Sequence, residues 1–339
     1  MTTHYTKRFF MLRELLKNIN GLVFFKRVVR AYSQISLNYM ADCISYIRYS
    51  SSISFENDIT KLEGRICVFY HALEKGLSLA NPRKGFGQEK AKELIKFTLK
   101  YVSMDDYNES LVKTVLGVLD EYFKFNKDSI NDNLYELYTL HLLKAIKHKP
   151  SSSSGTNFAE KSKLTFSDYE KFSTSRRSVR KYLSTQIERC EIEECINLAK
   201  YTPSVCNRQP WKAYIYQGQE NVQNVLKFQH GNKGFCDNLS SLILVTSDRT
   251  KFWHALERNQ AFIDGGMYSM SIVNALHAKG LGSCCLNLSL TAFAEKKLKK
   301  ELCIPNSEVP IMMIAVANYE DGAVVAASER MPLKMFLGN

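Results

Sequence analysis

The 339-residue sequence predicts an α+β protein with a mostly helical amino-terminal part. Three observations carry this. Residues 1–149 repeat apolar side chains at helical spacing. Residues 150–167 lose that period and read as a linker. Residues 168–339 mix helical stretches with short runs rich in aromatic and aliphatic residues, the pattern of strands between helices.

The elements follow in order. In "RFFMLRELLKNINGLVFFKRVVR", Leu12, Leu15, Leu16, Ile19 and Val23 recur at helical spacing. The longest unbroken apolar run there, Leu22 to Phe25, is far short of the roughly 20 residues a spanning helix needs. No small-residue cleavage site follows it, so a secretory signal is not expected. Lys17, Lys26, Arg27 and Arg30 leave two readings open: a helix packed on the rest of the protein, or peripheral membrane contact through a basic surface helix.

Ile59, Leu62, Ile66, Phe69 and Leu73 mark the next helix, and three further helical stretches reach about residue 149. His71, Glu74 and Lys75 have helix-face spacing, suited to a polar network or to a substrate-facing surface. The loop "SLANPRKGFGQ" and the serine-rich "KPSSSSGTNFAEKSKL" interrupt the pattern. Beyond them, "CEIEECINLAKYT" reads as helix, and "WKAYIYQ" and "SSLILVTS" as strands. "NQAFIDGGMYSMSIVNALHAKG" reads as a helix with Gly280 as its C-cap, and "SLTAFAEKKLKKEL" as a helix capped by Ser289. The near-continuous apolar "PIMMIAVANY" suits a strand in a sheet covered on both faces.

Composition narrows the classes. Apolar residues at 45% exclude a disordered chain. The net charge of +12 admits nucleic acid, anionic membranes and anionic cofactors alike. No finger, helix-turn-helix signature or aromatic–basic repeat points to nucleic acid, so no such partner is expected. Nine cysteines without CxxC or finger spacing predict neither a disulfide scaffold nor a metal site, and suit a reducing cytoplasm. Cys284 and Cys285 are adjacent, and alternation along a strand separates their side chains.

Three clusters carry chemistry. In "STSRRSVRKY", Arg176, Arg177 and Arg180 surround Ser178; Arg176 and Arg180 share a face if the stretch is helical. Guanidinium pairs and a hydroxyl can hold phosphate, although a solvated charge run reads the same way. In "YTPSVCNRQPWKAYIY", two prolines bracket Ser204, Asn207, Arg208 and Gln209, which are donors and acceptors suited to a heteroaromatic edge or to a simple turn. In "DGGMYSMSIVNALHAKGLGSCCLNLS", Gly265 and Gly266 allow close backbone approach, and Gly280 and Gly282 bracket a short extended segment whose backbone donors could meet a cofactor carbonyl. GxGxxG is absent, so no Rossmann fingerprint is present.

These clusters in this order, with the final "ERMPL", resemble the nitroreductase family across residues 172–339. The resemblance implies a homodimeric α+β core that binds FMN at each subunit boundary. It implies an FMN-dependent oxidoreductase passing hydride from NADH or NADPH through flavin to a small acceptor. It assigns flavin contacts to Arg176, Arg177, Ser178, Arg180, Ser204, Asn207 and Arg330, with backbone donors at Gly282, Ser283 and Cys284; it assigns no catalytic side chain. The family's glycine-tyrosine-proline stretch is replaced here by Ala317, Asn318, Tyr319 and Glu320. That departure keeps a second class in view, a non-catalytic flavin-binding interaction protein. The helical part, with "FYHALEKGLSLANPRKGFGQ", resembles extensions of nitroreductase-like proteins found with bacterial surface-polysaccharide genes.

Overall fold

Asp58 begins the second helix of the chain by accepting the backbone N–H groups of Thr60 and Lys61, both at 3.1 Å. Asn108 caps the fourth helix in the same way. The computed structural model describes residues 3–55, 57–237 and 239–338, with side chains from residue 21 onward. The spacing of Leu12, Leu15, Leu16 and Ile19 falls outside the described side chains, although the backbone there is helical.

The amino-terminal half contains α1 (Thr3–Tyr49), α2 (Ile59–Leu77), α3 (Gln88–Val102) and α4 (Glu109–Phe125). Then α5 (Asp132–Glu136) runs through a π-helical turn into α6 (Leu143–Ala145). Leu62, Ile66 and Leu73 of α2 pack against Leu94 and Ile95 of α3 and Val115, Leu119 and Tyr122 of α4, all fully buried. This core holds no residue from the sheet.

The other half contains α7 (Phe166–Ser175), α8 (Arg189–Ala199), β1 (Trp211–Gln217), α9 (Gln219–Leu226), β2 (Ser241–Asp248), α10 (Gln260–Ala278), β3 (Gly282–Asn287), α11 (Ala292–Glu301) and β4 (Glu308–Ala317). The strands form one antiparallel sheet in the order β1-β2-β4-β3. Strand side chains alternate between faces. Leu242, Leu244, Met313 and Ala315 join the layer under α9 and α11, whereas Ile243, Val245, Ile314 and Val316 join the layer under α8 and α10. Covering on both faces explains why β4 reads as an unbroken apolar run.

The end of α10 is a Schellman motif: Gly280 N–H donates to His277 O at 3.0 Å and Leu281 N–H to Leu276 O at 2.9 Å. Gly280 lies one residue past the cap, Lys279, at φ +79°, a conformation that favours glycine. Two local expectations are corrected. Thr291, not Ser289, caps α11, because its hydroxyl accepts Ala294 N–H at 3.3 Å while Ser289 instead accepts from Asn287. Residues 176–180 are not helical: α7 stops at Ser175, and the chain then runs extended beside β3, with Val179 N–H donating to Ser283 O at 3.0 Å.

The serine-rich segment has no regular structure, yet it is held down. Ser151 N–H donates to Lys113 O, Gly155 N–H to Glu74 and Thr156 to Glu121. The halves meet where α2 crosses the Arg249–Lys251 turn that follows β2. Gly64 makes this crossing possible, since a Cβ there would sit 2.8 Å from Lys251 O. Lys251 pairs with Glu63, and the Arg65 guanidinium lies between the Phe55 and Trp253 rings at 4.4 and 4.6 Å. The carboxy-terminal end of α1 docks nearby: Arg249 donates to Ser45 and Asp42, and Tyr46 donates to His254 O at 2.8 Å. Among the described residues, no helix is long and apolar enough to cross a membrane.

Candidate functional site

The first cluster is built by the extended segment beside β3. Ser175, Arg176, Arg177, Ser283, Leu281, His277 and Tyr319 surround a cavity of about 120 Å³. Ser178 forms a parallel bridge with Ser283, which fixes the segment's register on the sheet edge. Leu183 N–H donates to Asn318 O at 2.9 Å, so the altered stretch after β4 helps hold the same segment.

The basic side chains here differ in use. The Arg177 guanidinium donates to Arg176 O at 3.0 Å and to Thr174 O. Arg180 lies over the Phe235 ring, 5.7 Å from its centroid. Arg176 makes no side-chain hydrogen bond or ion pair among the described residues, although it lines the cavity. His277 faces the cavity and its Nε2 shares a 2.9 Å hydrogen bond with Ser175 Oγ. Burial pushes the His277 imidazole below its usual range, and Arg176 adds to this against a backbone contact with Phe172. An unpaired guanidinium, a second arginine and a serine around a small cavity fit a phosphate group.

Ser178 and Cys284 face each other. Burial pushes the Cys284 thiol up, while Arg180 and the Ser178 hydroxyl oppose that shift. Cys284 is buried and Cys285 exposed, the separation that strand alternation requires. Gly282 has no room for a side chain, with Tyr319 and the Ala317 carbonyl beside it. Arg330 belongs to an exposed tail, donates to Ser328 O at 2.8 Å and does not line the cavity.

The second cluster is the bend before β1. Cys206, Asn207 and Gln209 all take positive φ, at 49°, 51° and 46°. Such a run of non-glycine residues is strained and must be held from outside. Arg208 does most of the holding. Its side chain is fully buried and donates to Val205 O, Lys251 O and both oxygens of Glu257. Arg208 is thus structural, which for this residue favours the turn over the ligand donor, the two readings its place in the sequence left open. Burial pushes the Glu257 carboxyl up, but hydrogen bonds from Arg208, Trp253 and His254 outweigh it and leave the carboxyl below its usual range.

Asp264 of α10 accepts Val205 N–H at 3.3 Å and Gln260 Nε2 at 2.7 Å. Ser204 Oγ accepts Gln209 N–H at 2.9 Å. Asn207 Nδ2 donates to the Tyr70 hydroxyl of α2 at 3.2 Å, so the helical half reaches this cluster directly. Burial holds the Tyr70 phenol well above its ordinary range and therefore neutral. Sequence reasoning missed Tyr70, because nothing local marks a partner that lies 137 residues away.

Among the described residues, the side chains of the bend do not line the cavity beside β3. The bend is tied to α10 at Asp264 and the basic segment at His277, thirteen residues apart along the helix and about 20 Å by helical rise. Of the glycines before that point, Gly265 lets α10 close on Ile311, whereas a side chain at Gly266 would meet open space. His71 and Glu74 pair at 3.4 Å, and Glu74 also accepts Gly155 N–H. Among the described residues, no cluster of histidine, cysteine, aspartate and glutamate could hold a metal ion.

A model of the Nitroreductase family matches this half of the chain at residues 174–232 and 219–318. A 4-nitrobenzoate reductase of Pseudomonas putida is 39% identical over 56 residues, covering 16% of this chain and 25% of its own. The chain thus spans only about a quarter of that relative. A 4-nitrobenzoate reductase of Nocardioides sp. is 25% identical over 202 residues, covering 45% of this chain and 81% of its own. A Desulfovibrio desulfuricans structure solved in complex with FMN is 20% identical, with 50% of this chain and 94% of that one covered, at a TM-score of 0.43. The matched stretch contains the opening basic motif, the bend and all four strands, so the carboxy-terminal half of the chain is similar to the nitroreductase family.

Proposed function

We propose that the chain is an FMN-dependent oxidoreductase of nitroreductase type that works as a homodimer. When bound, FMN supplies the two-electron chemistry, accepting hydride from NADH or NADPH and passing it to a small acceptor. The observation that carries the reading is Arg176, a guanidinium without a partner among the described residues, in a cavity of phosphate size beside Arg177 and Ser283. These residues would hold the phosphate, Arg330 would reach it from the exposed tail, and Ser204 and Asn207 would meet the ribityl chain or ring. Backbone donors at Gly282–Cys284 would stabilise charge gathering on the ring.

Dimerisation joins the separated clusters. The outer face of α10 exposes Phe262, Ile263, Met267 and Met270 at 48%, 52%, 39% and 46%. A two-fold axis through such a face pairs α10 with its copy in opposite directions. That pairing brings the Asp264 end of one helix toward the His277 end of the other, and with them the two donor clusters.

The test is the visible spectrum of protein purified from a flavin-replete cytoplasm, followed by anaerobic NADH and NADPH. A flavin band that bleaches with one of them supports the proposal. A colourless protein that takes up no added FMN overturns it. Bound flavin that neither nucleotide bleaches favours the second reading, a non-catalytic flavin-binding interaction protein; the altered Ala317–Glu320 stretch is the reason to keep it.

A further inference from the structure

The first helix presents a surface that neither the fold nor the proposed site uses. α1 spans 47 residues, about 70 Å of helix, yet among the described residues its contacts with the sheet half come from its last turns. Asn38, Asp42, Ser45 and Tyr46 make those contacts. Residues 21–37 are exposed at every position but Val28, which is half-buried. Leu22, Phe24, Phe25, Val29 and Tyr32 are 56%, 68%, 64%, 49% and 73% exposed. At 100° per residue, Leu22, Phe25, Val29 and Met40 fall on the side of α1 opposite Asp42 and Ser45. Apolar surface this continuous marks an interaction site.

Charge indicates the occupant. No acidic residue lies between Glu14 and Asp42, while Lys17, Lys26, Arg27 and Arg30 do. Lys26, Arg27 and Arg30 are exposed beside the apolar residues. A second copy of this helix would set its own Lys26, Arg27 and Arg30, with no acidic residue between Glu14 and Asp42, against the same like charges. An anionic lipid surface satisfies both features, taking the aromatic and aliphatic side chains into the headgroup boundary and pairing the cations with lipid phosphates.

We infer that α1 docks the protein on anionic phospholipid bilayers, lying on the surface rather than crossing it. The experiment is sedimentation of the full chain with phosphatidylcholine vesicles, with and without a quarter phosphatidylglycerol. Binding to the anionic vesicles only, weakened by salt, is expected. Each basic residue near such a surface contributes roughly fivefold in affinity, so K26E/R27E/R30E should reduce binding on the order of a hundredfold. Leu22→Ser with Phe25→Ser should also reduce it, and these exposed sites leave folding intact, as circular dichroism would check. Equal binding of the variants and the parent chain overturns the inference. So does failure to bind anionic vesicles. Conversion of a dimer to monomers by the two serine changes, read by light scattering, would assign the surface to a second copy instead.

Discussion

Asn207 and Tyr70 join the two halves of the chain at the candidate flavin site: the amide donates to the phenol at 3.2 Å across the junction between the bend and α2. The helical half is therefore part of the site's construction. Tyr70→Phe removes the acceptor and changes little else in the core. A net hydrogen bond contributes about 1 kcal/mol, so FMN affinity should fall about fivefold. Fluorescence titration reads this, and unchanged affinity would confine Tyr70 to packing.

Glu257 is the only carboxylate paired with the buried Arg208 guanidinium among the described residues. Glu257→Gln leaves that charge without its partner, and removing one member of a buried pair costs about 3–5 kcal/mol. Urea unfolding should show the loss as a lower midpoint. In the parent chain the Glu257 carboxyl lies below its unfolded value. Its contribution is therefore present above about pH 4.3, the ordinary glutamate value, and fades as pH falls through the folded value. Stability measured from pH 6 downward should drop less steeply in the variant.

Gly64→Ala places a methyl group 2.8 Å from Lys251 O, a backbone atom that cannot swing aside. Overpacking of this kind costs about 1–3 kcal/mol. The expected outcome is a lower melting temperature, with protease cleavage appearing first between the halves. Full stability would mean that α2 and the Arg249–Lys251 turn can separate freely.

Arg176→Ala should weaken FMN binding about 10- to 100-fold, the range for a charge-assisted hydrogen bond of about 1.5–3 kcal/mol. The same titration of Arg330→Ala checks the proposed tail contact. Arg189→Ala, exposed and paired with Glu193, serves as the control and should bind as the parent does.

The strands were legible because their evidence is local. "WKAYIYQ" and "SSLILVTS" combine strand-forming residues with turn residues at their ends, and β4 is apolar on both faces because helices cover both. The close of α10 was legible from Gly280 for the same reason. What the sequence concealed depends on distant partners. Arg176 and Arg180 have helical spacing, but Ser283, more than a hundred residues away, draws the stretch into an extended line beside β3. Arg208 resembles a ligand donor until Glu257 and Lys251 enclose it. The serine-rich segment has a linker's composition, yet Glu74 and Glu121 supply acceptors that hold its backbone.

The proposed flavin site is assembled from two copies, with Arg176 from one and Asn207 from the other. The direct measurement is FMN uptake by a refolded equimolar mixture of Arg176→Ala and Asn207→Ala chains, neither of which binds well alone. Random pairing makes half of the dimers mixed, and each mixed dimer keeps one intact site. Uptake should therefore recover to about a quarter of the parent's sites. No recovery in the mixture, with the parent chain binding FMN fully under the same conditions, would rule out a site shared between two copies.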